Sequence, residues 1–217
     1  MAAGLEGDIT IALPKGRTLA GALALFKKIG LDCEELIQAS RKLILPLPDR
    51  RIRFLLLRGS DIPTYVEYGA ADMGIVGKDV LLEQRKDIYE PLDLQFGACR
   101  LVVARPQEHR RPVDAVNWSH IKVATTYPRL AEEHFGKKGV QAELIYLRGS
   151  VELAPLVGLC DYVVDLVDTG RTLQENGLIE VEEIMRSSAR LVLNRASQKT
   201  KYEPITQLIH QMRAYLG

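Results

Sequence analysis

Eight short apolar runs recur along the chain, and they constrain its fold more than any other feature: Ile9–Leu13, Ile52–Leu57, Met73–Val76, Leu101–Ala104, Ile121–Ala124, Leu144–Leu147, Tyr162–Leu166 and Leu191–Leu193. Helix-like patterns separate most of them, and that alternation predicts layered α/β structure. Leu19–Ile29 carries apolar residues at helical spacing and stops at Gly30, a residue that ends helices readily. Pro63–Tyr68 and Asp79–Glu83 read as shorter helices. Pro204–Leu216 sets Ile205, Leu208, Ile209 and Met212 on one face, so it is expected to dock on the body of the protein. A chain of 217 residues can form one domain or two small lobes. The polar, proline-bounded stretch Arg105–Asp114 suits a crossover between lobes, and a second crossing is needed near Glu180 to Ala189 if the last helix returns to the first lobe.

The formal net charge is +1, which removes any global electrostatic case for nucleic acid as a partner. No apolar segment is long enough to span a membrane, and Met1–Asp8 lacks the basic and apolar regions of an export signal, so a cytoplasmic location is expected. Cys33, Cys99 and Cys160 are far apart with no Cys-x-x-Cys pair, which points to free thiols. His109, His120, His134 and His210 show no metal-ligand spacing. Positive charge is locally dense: Lys15, Arg17, Arg41, Lys42, Arg50, Arg51, Arg53 and Arg58 all fall near predicted turns.

Tyr162-Val-Val-Asp-Leu-Val-Asp-Thr-Gly-Arg-Thr-Leu173 carries the most chemistry. A β-branched run breaks into a turn with two acids, and Thr172 is a candidate N-cap for Leu173–Asn176. Backbone N–H groups at Thr169, Gly170 and Arg171, near the positive end of a helix, suit a phosphate. Gly170 permits a close approach or positive φ, and the Thr169 and Thr172 hydroxyls add donors. Like charges repel, so Asp165 and Asp168 are expected to accept from sugar hydroxyls or to reach a Mg²⁺ on the ligand.

Read as a longer pattern, the segment runs Glu152, five residues, Gly158, then Val163, Asp165, Leu166 and Thr169-Gly170-x-Thr172-Leu173. This resembles the signature of the ATP phosphoribosyltransferase family. Leu13-Pro-Lys-Gly-Arg17, Ala39-Ser-Arg-Lys-Leu43, Leu57-Arg-Gly-Ser-Asp-Ile-Pro63 and Ala71-Asp-Met-Gly-Ile-Val-Gly77 follow the family's order, so the resemblance covers nearly the whole chain. Cys160 departs from the Ala, Ser or Gly usual there, enlarging a tight spot without removing a polar group.

The resemblance implies a two-lobed, periplasmic-binding-protein type II-like α/β fold with a cleft between the lobes. Residues 1–104 with 190–217 would form lobe I, and 105–189 lobe II with the phosphoribosyl-donor loop. It further implies that N1 of ATP attacks the anomeric carbon of phosphoribosyl pyrophosphate with inversion, releasing pyrophosphate in the first step of histidine biosynthesis. Arg17 and Arg41, supported by Lys15, are then expected to neutralise the leaving pyrophosphate. Glu152, Asp165, Asp168, Thr169, Gly170, Arg171 and Thr172 would hold the donor, although Glu152 also suits the N-terminus of a helix over Val151–Val157. Arg58 and Asp72 are assigned to ATP, with a solvated loop acid as the other reading of Asp72. Tyr65, Tyr68, Tyr127 and Trp118 are available to stack on adenine. Mg²⁺ is expected to ride on the substrates' phosphates. The amphipathic Pro204–Leu216 reaches almost to the end, which matches the short form of the family. Such chains work with a regulatory partner resembling histidyl-tRNA synthetase, so homo- and hetero-oligomers are expected. Salvage phosphoribosyltransferases and solute-binding modules of the same fold are the rival readings.

Overall fold

The computed structural model describes residues 9–38, 41–108 and 119–216. Met1–Asp8, Ala39, Ser40, His109 to Asp114 of the proposed crossover, and Trp118 lie outside the described residues.

The chain divides into two units. The first comprises Met1–Gly97 and Ser188–Gly217, the second Ala98–Ser187. In the first, β1 (Ile9–Pro14), α1 (Arg17–Lys28), α2 (Glu34–Gln38), β2 (Ile44–Leu47), β3 (Ile52–Leu57), α3 (Ile62–Glu67), β4 (Met73–Gly77), α4 (Lys78–Gln84) and β5 (Tyr89–Asp93) follow in order. The second holds β6 (Cys99–Pro106), β7 (Ser119–Thr125), α5 (Pro128–Lys137), β8 (Gln141–Tyr146), β9 (Tyr162–Val167), α6 (Arg171–Glu175) and β10 (Leu178–Ser187). The chain then returns to the first unit as β11 (Ala189–Leu193), α7 (Arg195–Thr200) and α8 (Tyr202–Leu216). Arg105 and Pro106 lie inside β6, so the first passage between units precedes the polar stretch that the sequence suggests for it.

The first sheet has the order β2-β3-β1-β4-β11-β5. Its centre, β1 between β3 and β4, is parallel, and β11 joins antiparallel to β4 and β5. Strands covered on both faces read as continuous apolar runs, and all six residues of β1 are buried. Side chains alternate across a strand. Ile9, Ile11 and Leu13 accordingly pack with Ala22 and Phe26 of α1 and Ile205, Leu208 and Met212 of α8. Ala12 packs with Ile62 and Val66 of α3 in a separate cluster. The expected docking face of the last helix is therefore seen directly.

The second sheet has the order β10-β6-β9-β7-β8. β7 runs parallel to both β8 and β9, while β6 pairs antiparallel with β9 and β10. Val102, Ala104, Val163 and Val167 pack with Leu173 of α6 and Leu178. Among the described residues, no helix is long and apolar enough to cross a membrane.

Candidate active site

In the first unit, Pro14 of β1 lies level with Leu57 of β3, and Ala12 level with Gly74 of β4. The segments leaving these parallel strands therefore share one rim of the sheet, the rim where open α/β sheets present ligand-binding loops. Lys15 and Arg17 leave β1 there, with Lys15 N–H donating to Leu57 O (2.9 Å), and Arg58 leaves β3. Leu56 N–H donates to Leu43 O (2.9 Å), so Arg41 enters β2 at that rim as well. Lys15, Arg17, Arg41 and Arg58 are all exposed. Gly16 makes the turn at φ 87° and ψ −150°, a region closed to side-chain-bearing residues, and is the N-cap of α1. α1 has no acid in its first turn and no side-chain cap, so its first N–H groups and positive dipole end add to the same rim.

Asp72 is elsewhere, and its sequence-based assignment to ATP is corrected. It precedes β4, level with Thr10 near the start of β1, so about five residues of strand, roughly 16 Å, separate it from Lys15. Its side chain is buried (4% exposed) and committed internally. Oδ2 accepts from Thr10 N–H (2.8 Å) and from Lys201 Nζ (2.8 Å), while Ser197 Oγ donates to Oδ1 (2.6 Å). A buried carboxylate with a full set of partners is a clamp between β1, β4 and the α7–α8 region. Asn194 completes that clamp: its Oδ1 caps α7 through Ser197 N–H (2.8 Å) and its Nδ2 donates to Val66 O (2.8 Å) at the end of α3.

In the second unit, Thr125 of β7 lies level with Tyr146 of β8 and Val164 of β9. The exits of these parallel strands form a second rim, built from Thr126–Tyr127, Leu147–Glu152 and Asp168–Thr172. Gly170 stands at φ 80° and ψ −3° as the N-cap of α6. The helix thus opens at Arg171, two residues before the start that the sequence suggests, and Thr172 is inside it rather than capping it. A left-handed residue presents Thr169, Gly170 and Arg171 N–H groups along one short arc. Behind the arc stands Glu180: a Cβ at Gly170 would lie 3.2 Å from its Oε1. Arg100 holds Glu180 through two hydrogen bonds, 2.8 and 3.0 Å. The Arg171 guanidinium donates along its own helix to Glu175 (2.7 Å).

Asp165 points from β9 into this region, with Oδ1 accepting from Leu166 N–H (2.8 Å). Burial pushes its carboxyl pKa up, the Leu166 N–H pulls it back, and the charge on Glu152 adds to the rise. Glu152 is therefore an electrostatic neighbour of Asp165, and its charge disfavours ionisation of the Asp165 carboxyl. Glu152 sits in a single 3₁₀ turn, Val151–Leu153, following Ser150 at φ 49°. The helix expected over Val151–Val157 shrinks to this turn, so Glu152 is carried on the loop that leaves β8. Asp168, Thr169 and Thr172 are exposed on the same rim.

Sequence reading missed Thr125, which is fully buried and bonded at this rim, and Arg148, exposed on the β8 exit. A polar residue closing an apolar strand was the available signal for Thr125; an isolated loop arginine gives none. Tyr127, the N-cap of α5, is the one described tyrosine of the stacking candidates on this rim, while Tyr65 and Tyr68 belong to α3 and its end.

The two units, with their sheet orders and rims, place the chain in the class of periplasmic-binding-protein type II-like α/β proteins. The periplasmic aliphatic sulphonate binding protein SsuA from Escherichia coli shares the fold, at a TM-score of 0.60 and 13% identity, covering 96% of this chain and 72% of that one. Closer likenesses are specific. A family model described as ATP phosphoribosyltransferase matches residues 58–214. An ATP phosphoribosyltransferase of Syntrophotalea carbinolica is 56% identical over 209 residues, 96% of this chain and 95% of the relative. The solved ATP phosphoribosyl transferase (HisG:HisZ) complex from Thermotoga maritima matches at a TM-score of 0.81 and 31% identity, covering 96% of this chain and 98% of that one. The chain belongs to the ATP phosphoribosyltransferase family, whose members are enzymes acting on phosphate substrates.

Proposed function

We propose that this chain joins N1 of ATP to C1 of phosphoribosyl pyrophosphate, releasing pyrophosphate, as the first step of histidine biosynthesis. Family membership supports the reaction, and the observation that carries the site is the left-handed turn at Gly170 on a rim with Glu152, Asp165 and Asp168. The N1–C1 bond forms as the bond from C1 to the pyrophosphate oxygen breaks, with inversion, and pyrophosphate keeps the electron pair. Adenine N1 already carries its lone pair, so attack requires no strong general base. The protein's work is positioning and charge neutralisation.

In this reading the second unit is the donor lobe. The 5′-phosphate takes the N–H groups of Thr169, Gly170 and Arg171 and the hydroxyls of Thr169 and Thr172. The ribose hydroxyls donate to Glu152, Asp165 and Asp168. The first unit supplies Arg58 for the phosphates of ATP, and Lys15, Arg17 and Arg41 for the leaving pyrophosphate. Guanidinium groups suit this task because they stay charged and grip phosphate oxygens in pairs. Mg²⁺ is assigned to the phosphates of the substrates, which offer it the oxygen ligands it prefers. Asp165 or Asp168 offers one or two oxygens, the number Mg²⁺ takes from protein when phosphates and water supply the rest.

A cytoplasmic location goes with this reading. A HisZ-type regulatory chain resembling histidyl-tRNA synthetase is the proposed partner, by analogy with the Thermotoga maritima complex. The test of the reaction mixes chain, ATP, phosphoribosyl pyrophosphate and Mg²⁺. A new adenine absorbance with stoichiometric pyrophosphate is expected, and turnover of free purine or pyrimidine bases instead would assign the chain to salvage. Histidine is expected to inhibit only in the presence of the partner, so saturable histidine inhibition of the isolated chain would overturn the partner assignment.

A further inference from the structure

Three exits converge on one residue in the second unit. Thr125 ends β7 and is fully buried (0% exposed). Its hydroxyl donates to Val164 O (2.8 Å), one residue before Asp165. The same oxygen accepts from Tyr127 N–H (2.8 Å), fixing the turn into α5. Its backbone carbonyl accepts from Leu147 N–H (3.0 Å), where the chain leaves β8 toward Glu152. A buried hydroxyl that both donates and accepts permits a single orientation of its neighbours, because each unmade bond leaves a desolvated polar group. The side chain itself reaches no solvent, so it cannot touch a substrate.

We infer that Thr125 is a positioning residue for the phosphoribosyl donor: its hydroxyl sets the relative height of the β7 and β9 exits, and with it the place of Asp165 and the Gly170 loop against Glu152. The inference rests on the donor site proposed above. Valine keeps the branched shape and removes the hydroxyl, whereas serine keeps the hydroxyl.

The test is calorimetric titration of the wild-type chain, Thr125→Val and Thr125→Ser with phosphoribosyl pyrophosphate and Mg²⁺, and separately with ATP, alongside thermal melting. Thr125→Val is expected to weaken donor binding about tenfold with ATP affinity kept within about twofold, and Thr125→Ser to restore donor binding. Asn194→Ala, a destabilising change in the other unit, is the control: a matching fall in melting temperature with unchanged donor affinity separates positioning from general loosening. Equal losses for both ligands, or a melting shift with no change in donor affinity, would overturn the inference. If Thr125→Val does not fold, Thr125→Ala gives the same comparison, and failure of both with rescue by serine would assign the hydroxyl to stability alone and overturn the positioning role. A wild-type chain that binds no donor would instead overturn the proposed function.

Discussion

The same topological position carries opposite chemistry in the two units. Where β1 and β3 end, the rim holds Lys15, Arg17, Arg41 and Arg58, with a helix N-terminus behind a glycine turn. Where β7, β8 and β9 end, the rim holds Glu152, Asp165 and Asp168 among threonines, with Arg171 drawn along its helix by Glu175. Parallel strand ends give both rims the same geometry, a set of loops rising from one edge. Side chains then decide what each can hold. Four cations suit a polyanion whose charge grows as a bond breaks; acids and hydroxyls around one small anion cradle suit a sugar bearing a single phosphate. A substitution on the first rim should therefore act on rate, and one on the second on donor affinity.

The largest effect is expected from Arg17→Ala and Arg41→Ala. Removing a group that stabilises charge only as it develops costs about 10²–10³ in rate. Single-turnover rates at saturating substrates should fall by that order while donor affinity changes only a few-fold. A binding defect with an unchanged rate at saturation would break the division of labour between the rims.

Next in size are changes on the second rim. Asp165→Ala and Thr169→Ala should weaken donor binding by about 1–3 kcal/mol in titration, with ATP affinity unchanged. Asp165→Asn sharpens the point because stability and function should move in opposite directions. Burial and Glu152 raise the Asp165 pKa, so the folded state holds its proton more tightly than the unfolded chain does. By linkage, this residue's contribution to stability falls as pH rises from the ordinary carboxyl range through the raised pKa. Asparagine carries no such penalty. The melting temperature of Asp165→Asn relative to wild type should therefore rise between acid and neutral pH, while donor affinity at neutral pH drops. A relative melting temperature that falls over that interval would show the carboxylate to be stabilising where it stands.

How much of this the sequence discloses follows the sheets' interiors and edges. Strands buried on both faces, such as β1, β3, β4 and β9, stand out as apolar runs. The three strands that the runs do not include, β2, β5 and β10, are all at sheet edges. β2 contains Pro46, β5 contains Pro91, and β10 alternates glutamates with Ile179, Val181 and Ile184 across two irregular pairings. Proline, charge and bulges are how edges avoid pairing with other chains, so the features that protect an edge also hide it from pattern reading. The proposed donor loop is legible as a candidate because glycine, hydroxyls and acids lie together in sequence. Asp72 was misread because its partners, Thr10, Ser197 and Lys201, are distant along the chain, and a buried clamp and a binding acid look alike until the partners are in view.

That clamp supplies a smaller effect at the opposite edge of the first sheet. Asp72→Asn removes the Lys201–Asp72 ion pair, and Asn194→Ala removes the cap of α7 and the donor to the end of α3. Each should lower unfolding free energy by about 1–3 kcal/mol in denaturant titration, with ATP affinity intact in the protein that remains folded. Selective loss of ATP binding by Asp72→Asn at unchanged stability would return that residue to the nucleotide site.

The smallest effect is expected from Glu175→Gln, which removes the partner of Arg171 on α6. The pair is an exposed i,i+4 contact, with side chains 81% and 61% accessible. Solvent screens such pairs, and they contribute roughly 0.3–0.5 kcal/mol, so the melting temperature should hardly move. Its value lies in the comparison between rims. Arg171 is, with Arg148, a cation on a rim otherwise marked by acids, and Glu175 draws the Arg171 charge along α6. Freed from Glu175, the guanidinium can turn toward the 5′-phosphate, so donor affinity should rise slightly, and more at low ionic strength than at high. A fall in donor affinity would mean that Glu175 holds Arg171 in its binding position, and that the second rim relies on a fixed cation as the first does.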